Sequence, residues 1–167
     1  FNTLPHPMST GFSIFLANAA LPRYAATLKE GLDKFKVNTY QFLRVVILIS
    51  AALLILVLFS KKLIIFAVGS EYLAADRSFK ILLLGVVFVL LNLPFSTALI
   101  AAGWEKAVLK QAIASALLNV GLNFYLIPKW GMEGASLSFV YAEALAVIWV
   151  VWLYRKKITA NISPLKI

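Results

Sequence analysis

From Ile81 to Ala102 the chain runs for 22 residues without a single charged side chain. A bilayer core about 30 Å thick is crossed by roughly 20 apolar residues of helix. In hydrocarbon, each backbone N–H and C=O must find its partner within the segment. The run therefore admits few structures besides a membrane-spanning helix, and it does not stand alone. Val45–Ser60 is also uncharged, and Gln41-Phe42-Leu43 extends it past Arg44. Gln111–Pro128 has 18 uncharged residues, and Ala135–Tyr154 has 20 with one carboxylate inside. Met8–Pro22 is a shorter candidate of 15. The pattern predicts an all-α integral membrane domain over 1–167 with about five spans, at 8–22, 41–60, 81–102, 111–128 and 135–154.

Composition agrees. The 167 residues are 62% hydrophobic and only 14% charged, against about 45–50% and about 25% in soluble domains. A chain this short has too little interior to hide so much apolar surface from water. Cysteine is absent, which excludes a disulfide framework, a thiolate nucleophile and a cysteine metal site. His6 is the single histidine, set between Pro5 and Pro7, so no histidine cluster exists to bind a metal. No phosphate-binding Gly-rich loop is present, and no catalytic constellation appears. The reading is a protein that is not an enzyme and has no cofactor.

The bases stand at the ends of the apolar runs, which argues for topology rather than nucleic-acid binding. Eleven fall in Arg23–Arg44, Gly103–Lys110 and the tail from Arg155, and five on the other side. Positive-inside reasoning puts the eleven, and the C-terminus, in the cytoplasm. The chain opens on Phe1 without a charged n-region and cleavage site, and it reads as part of a longer protein. Between the second and third spans, 63–80 mixes apolar residues with Asp76, Arg77 and Lys80 and suits a helix lying at the membrane surface. There Gly69 ends one piece and Ser70 caps the next.

One stretch breaks the apolar pattern: Asn123–Ser136, "NFYLIPKWGMEGAS". It reads as an extracytoplasmic hairpin. Pro128 stops a helix, Gly131 and Gly134 permit the reversal, and Lys129 and Trp130 anchor at the headgroups. Gly134-Ala135 allows the returning helix to approach closely.

Glu143 lies eight residues in from Ala135, near mid-membrane. A charge there costs about 2.5–3.5 kcal/mol on insertion scales, so such a residue faces a cavity or a partner. Proton coupling, contact with a polar cargo and a purely structural carboxyl are all open. Ser115, Asn119 and Asn123, with Gln111, recur every four residues on one helical face. That stripe lines a cavity or bonds to a neighbouring helix. Asn92 and Ser96 share a face beside Pro94, which kinks or hinges its helix. Arg23 and Arg44, placed at cytoplasmic helix ends, serve phosphate recognition or topology.

The hairpin, continued by "LSFVYAE", resembles the segment between the last two helices of the polysaccharide-biosynthesis flippases. These belong to the MOP superfamily, with the multidrug MATE exporters and the lipid II flippase. "LPRYAATLKEGLDKF" resembles the loop after that family's eighth helix, and "LIAAGWEKAVLK" its short turn between the tenth and eleventh. "IIFAVGSEYLAADRSFKILLLG" resembles its surface segment, except that Ala67-Val68 separates Phe66 from Gly69. The resemblance implies most of the second lobe of a twelve-helix transporter working by alternating access. The implied cargo is a lipid-linked oligosaccharide, flipped across the cytoplasmic (inner) membrane. Its implied partners are membrane lipids and a missing N-terminal lobe of the same chain, not nucleic acid. A coupling ion, H+ or Na+, is open. Drug efflux of the MATE kind is the alternative, followed by a non-catalytic structural membrane module. A membrane glycosyltransferase would need a long extracytoplasmic loop with clustered carboxylates, which is not seen.

Overall fold

The computed structural model describes residues 20–159, and these are helical almost throughout. A first helical segment, α1, covers 20–30 and breaks at Gly31, where φ is 122°. Next come α2 (Leu32–Leu58), α3 (Ser60–Ala67), a 3-10 turn (Ser70–Ala75), α4 (Asp76–Ala101) and α5 (Glu105–Tyr154). A π-helical turn, Arg155–Thr159, follows. Three stretches are long and apolar enough to cross a membrane: Leu32–Leu58, Ser70–Ala101 and Glu105–Ile158.

The last is two helices in one. Gly131 has φ 53° and ψ −128°, values no helix contains and L side chains rarely adopt. The chain folds back there. Ser115 Oγ donates to the Ala142 carbonyl at 3.3 Å, across 27 residues of sequence, so the arms 105–130 and 132–154 lie antiparallel. At the usual 1.5 Å per residue, each arm is about 35–39 Å long, enough for a bilayer core. A Cβ built on Gly134 would overlap the Leu126 carbonyl, so only glycine lets the arms pack this closely at the bend.

α4 is the central helix. It packs against α2 on one side and α5 on the other. Gly85 receives the Phe139 ring of the second arm, where a Cβ would collide with it. α4 continues through Pro94, whose carbonyl accepts a hydrogen bond from the buried Tyr24 hydroxyl at 3.2 Å. The core sits at the base-rich end. Tyr24, Phe35, Phe95, Leu99, Tyr154 and Ile158 cluster there, each less than a tenth exposed. Phe95 and Tyr154 meet edge to face with centroids 5.3 Å apart. At the other end Asp76 takes the Ser60 hydroxyl and, at 2.7 Å, the Lys80 ammonium. Arg77 pairs with Glu133 at 3.3 Å.

Several expectations need correction. The segment 23–44 is not a loop: it is helix on both sides of Gly31, and α2 begins at Leu32 rather than 41. A helix satisfies its backbone in water as well as in lipid, so it need not end where hydrophobicity does. Arg44 accordingly stands twelve residues inside α2, not at its end. α2 also stops at Leu58, and Ser60 opens the next helix. The surface segment 63–80 is three pieces, its last five residues already belonging to α4. Ser70 makes no capping bond. Pro128 does not end its helix, because it stands in the last turn before Gly131. The expected span 8–22 lies outside the described residues except for its last three, and His6 lies wholly outside.

Candidate functional site

An open cleft of about 540 Å³ lies between α4 and the two arms of α5. Its walls are mostly apolar, but six polar side chains converge on it. α4 supplies Asn92 and Ser96, the first arm supplies Gln111, Ser115 and Asn119, and the second supplies Glu143. Helical geometry explains the convergence. Residues four apart share a helix face, so Gln111, Ser115 and Asn119 form one row and Asn92 and Ser96 another. Folding at Gly131 brings the second arm back so that Glu143 completes the third wall.

The polar groups are not equivalent. Ser96 Oγ lies 3.1 Å from the carbonyls of Asn92 and Leu93, so its hydroxyl is held against its own helix. Ser115 ties the two arms together through the Ala142 carbonyl. Asn119 accepts 2.9 Å from the Asn123 amide, whose own Oδ1 is buried with no hydrogen-bond partner among the described residues. Gln111 is 5% exposed. Glu143 is half-buried and forms no ion pair among the described residues. Among the described residues, no basic side chain lines the cleft. It offers carboxylate, amide and hydroxyl groups in an apolar setting, suited to hydroxyl-rich or cationic ligands.

Not every sequence candidate belongs to this cleft. Asn123 adjoins it through Asn119 without lining it. Arg23 is elsewhere: it donates to Gln41 at 3.1 Å and borders a smaller hollow of about 260 Å³ with Tyr24, Asn38 and Gln41. Pro94 lies on the buried side of α4, and Pro128, Gly131 and Gly134 shape the hairpin. A buried polar row on α2 was missed: Asn38, Thr39 and Ser50, all 5% exposed or less. Their spacing with Phe35 and Val46 is helical and was readable once α2 begins at Leu32. The Ser60–Asp76 bond joins residues 16 apart on different helices, and no local pattern signals it.

Comparison with known proteins places these features in context. The family described as MatE matches residues 6–125. A capsular polysaccharide biosynthesis protein, CapF, of Staphylococcus aureus is 26% identical over 160 residues, covering 93% of this chain and 40% of that protein. An uncharacterized membrane protein of Methanocaldococcus jannaschii is 26% identical over 133 residues, covering 80% of this chain and 25% of its own length. This chain thus spans between a quarter and two fifths of these relatives. No solved structure matches it.

Proposed function

Because the chain belongs to the MatE family of multi-pass membrane proteins, we propose that it forms part of a transporter that flips a lipid-linked oligosaccharide across the cytoplasmic membrane. The observation that carries the reading is the cleft. Six polar groups, one a carboxylate, face a single hollow whose remaining lining is apolar. Polar groups within spans are costly, and those facing a cavity mark substrate or ion pathways. Amides and hydroxyls pair with sugar hydroxyls, and Glu143 is placed to accept from a sugar or to carry a coupling proton. The name of the Staphylococcus aureus relative favours a polysaccharide cargo. With a second lobe opposite, alternating access would present the cleft to each side in turn, the base-rich end facing the cytoplasm.

One observation favours a second reading. Among the described residues the cleft has a carboxylate and no base, which also suits efflux of an organic cation. The two readings part on substitution of Glu143 in the intact protein. Glu143→Gln keeps shape and hydrogen bonding but cannot ionise. Export of lipid-linked sugar should be abolished with membrane level unchanged, while resistance to cationic drugs stays at its control value. Wild-type export by Glu143→Gln would remove Glu143 from the mechanism. Lost drug resistance with intact export would establish the second reading.

A further inference from the structure

A second hollow of about 540 Å³ lies along the α5 hairpin. It has the size of ligand pockets, about 300–1,000 Å³, but the opposite chemistry. Leu118, Leu145, Ile148, Trp149 and Trp152 form its walls, and no residue of α4 reaches it. On each arm its residues fall about a quarter turn round from those of the polar cleft, at 100° per residue. The two hollows nevertheless abut, because Gln111 and Ser115 line both. At the base-rich end the groove finishes on Trp152, over whose ring Lys156 Nζ sits 4.8 Å from the centroid. Arg155 and Lys157 flank that lysine in sequence.

An apolar trough, a polar chamber beside it and cations at one mouth match a single amphiphile in three parts. We infer that the groove receives the isoprenoid chain of the lipid-linked substrate, with its phosphate at Lys156 and its sugars in the adjoining cleft. The inference rests on the flippase reading above. Charge decides the direction of the chain: at the bend Lys129 is matched by Glu133, itself paired with Arg77, while at the other end Lys106, Lys110 and the run Arg155–Lys157 outnumber Glu105. A phosphate therefore settles at the Lys156 end and the chain runs toward the bend. The Trp rings give the trough rigid flat walls, and Lys156 is held near its mouth by cation–π attraction.

The test uses the intact protein in phosphatidylcholine nanodiscs with a trace of diazirine-bearing polyprenyl phosphate lacking any sugar. Irradiation should place label on 142–152 well above that on Leu48 and Ile55, exposed apolar positions of α2. Lys156→Ala should lower groove labelling roughly fivefold, the effect of one base beside an anionic headgroup. Ala114→Phe, which narrows the trough, should remove the excess over α2. Trp149→Ala, on a half-exposed ring, is the second variant if Ala114→Phe does not fold. Equal labelling of α2 and groove would overturn the inference, as would equal groove labelling by a diazirine phosphatidylglycerol. Groove labelling without oligosaccharide export would keep the groove and sink the transport reading. Export with uniform labelling would overturn the groove alone.

Discussion

At the base-rich end of the bundle Tyr24, Phe35, Phe95 and Tyr154 are all buried, whereas at the opposite end Phe66, Tyr72 and Trp130 are exposed by 91%, 55% and 54%. Both ends have exposed rings, Tyr40 and Trp152 at the base-rich end among them, but only the base-rich end also buries a cluster of rings. Where α1, α2, α4 and the end of α5 converge, the rings pack on one another and on Leu99 and Ile158. Where only short pieces and a hairpin bend meet, too few neighbours surround the rings. Side-chain polar contacts take over there: Ser60 and Lys80 on Asp76, and Arg77 on Glu133. Exposed rings at that level suit the headgroup layer, where amphipathic aromatics concentrate. The number of converging helices, more than residue type, sets whether an aromatic is core or anchor.

The largest effect that tests this contrast is all-or-none. If the two ends face opposite sides of the membrane, single cysteines at Lys34 and Lys129, in a chain that has no cysteine of its own, react with an impermeant maleimide from opposite sides. Lys34 is chosen because it is exposed, while Asn38 nearby is buried. Reaction of both from the same side would erase the distinction between the ends.

Next in size is the aromatic cluster. Tyr154 is 1% exposed, and truncating a buried ring costs about 3–5 kcal/mol. Tyr154→Ala should therefore lower the unfolding midpoint in detergent markedly. Its hydroxyl has at most a weak bond to the buried Thr39, so Tyr154→Phe should lower the midpoint far less. Equal losses in the two variants would mean that the hydroxyl, not the ring, holds this end.

The smallest effect belongs to the opposite end. The Arg77 side chain is 77% exposed in its pair with Glu133, and exposed pairs contribute about 0–1 kcal/mol. Arg77→Ala should change the same midpoint barely, and high salt should remove what change there is. A loss as large as that of Tyr154→Ala would show that both ends are held equally firmly.

Much of the architecture follows from the sequence alone, since uncharged runs near 20 residues leave the backbone little choice but helix. The hairpin was readable at Gly131, because a positive φ in a helical context favours glycine. The four-residue repeat from Gln111 to Asn123 and the lone carboxylate at Glu143 were equally plain, because periodicity is a local property. What the sequence could not show is which faces meet. That Gln111, Ser115, Asn119, Asn92, Ser96 and Glu143 share one cleft while Arg23 does not depends on how α4 and the two arms are rotated against each other. That rotation is decided by close contacts such as Gly85 with Phe139 and Gly134 with Leu126, between residues far apart or across a bend. The true start of α2 was hidden for a related reason. Hydropathy reports the apolar run alone, whereas the helix's hydrogen bonds and its packing of Phe35 under Tyr24, rings 5.5 Å apart, carry it on past the end of that run.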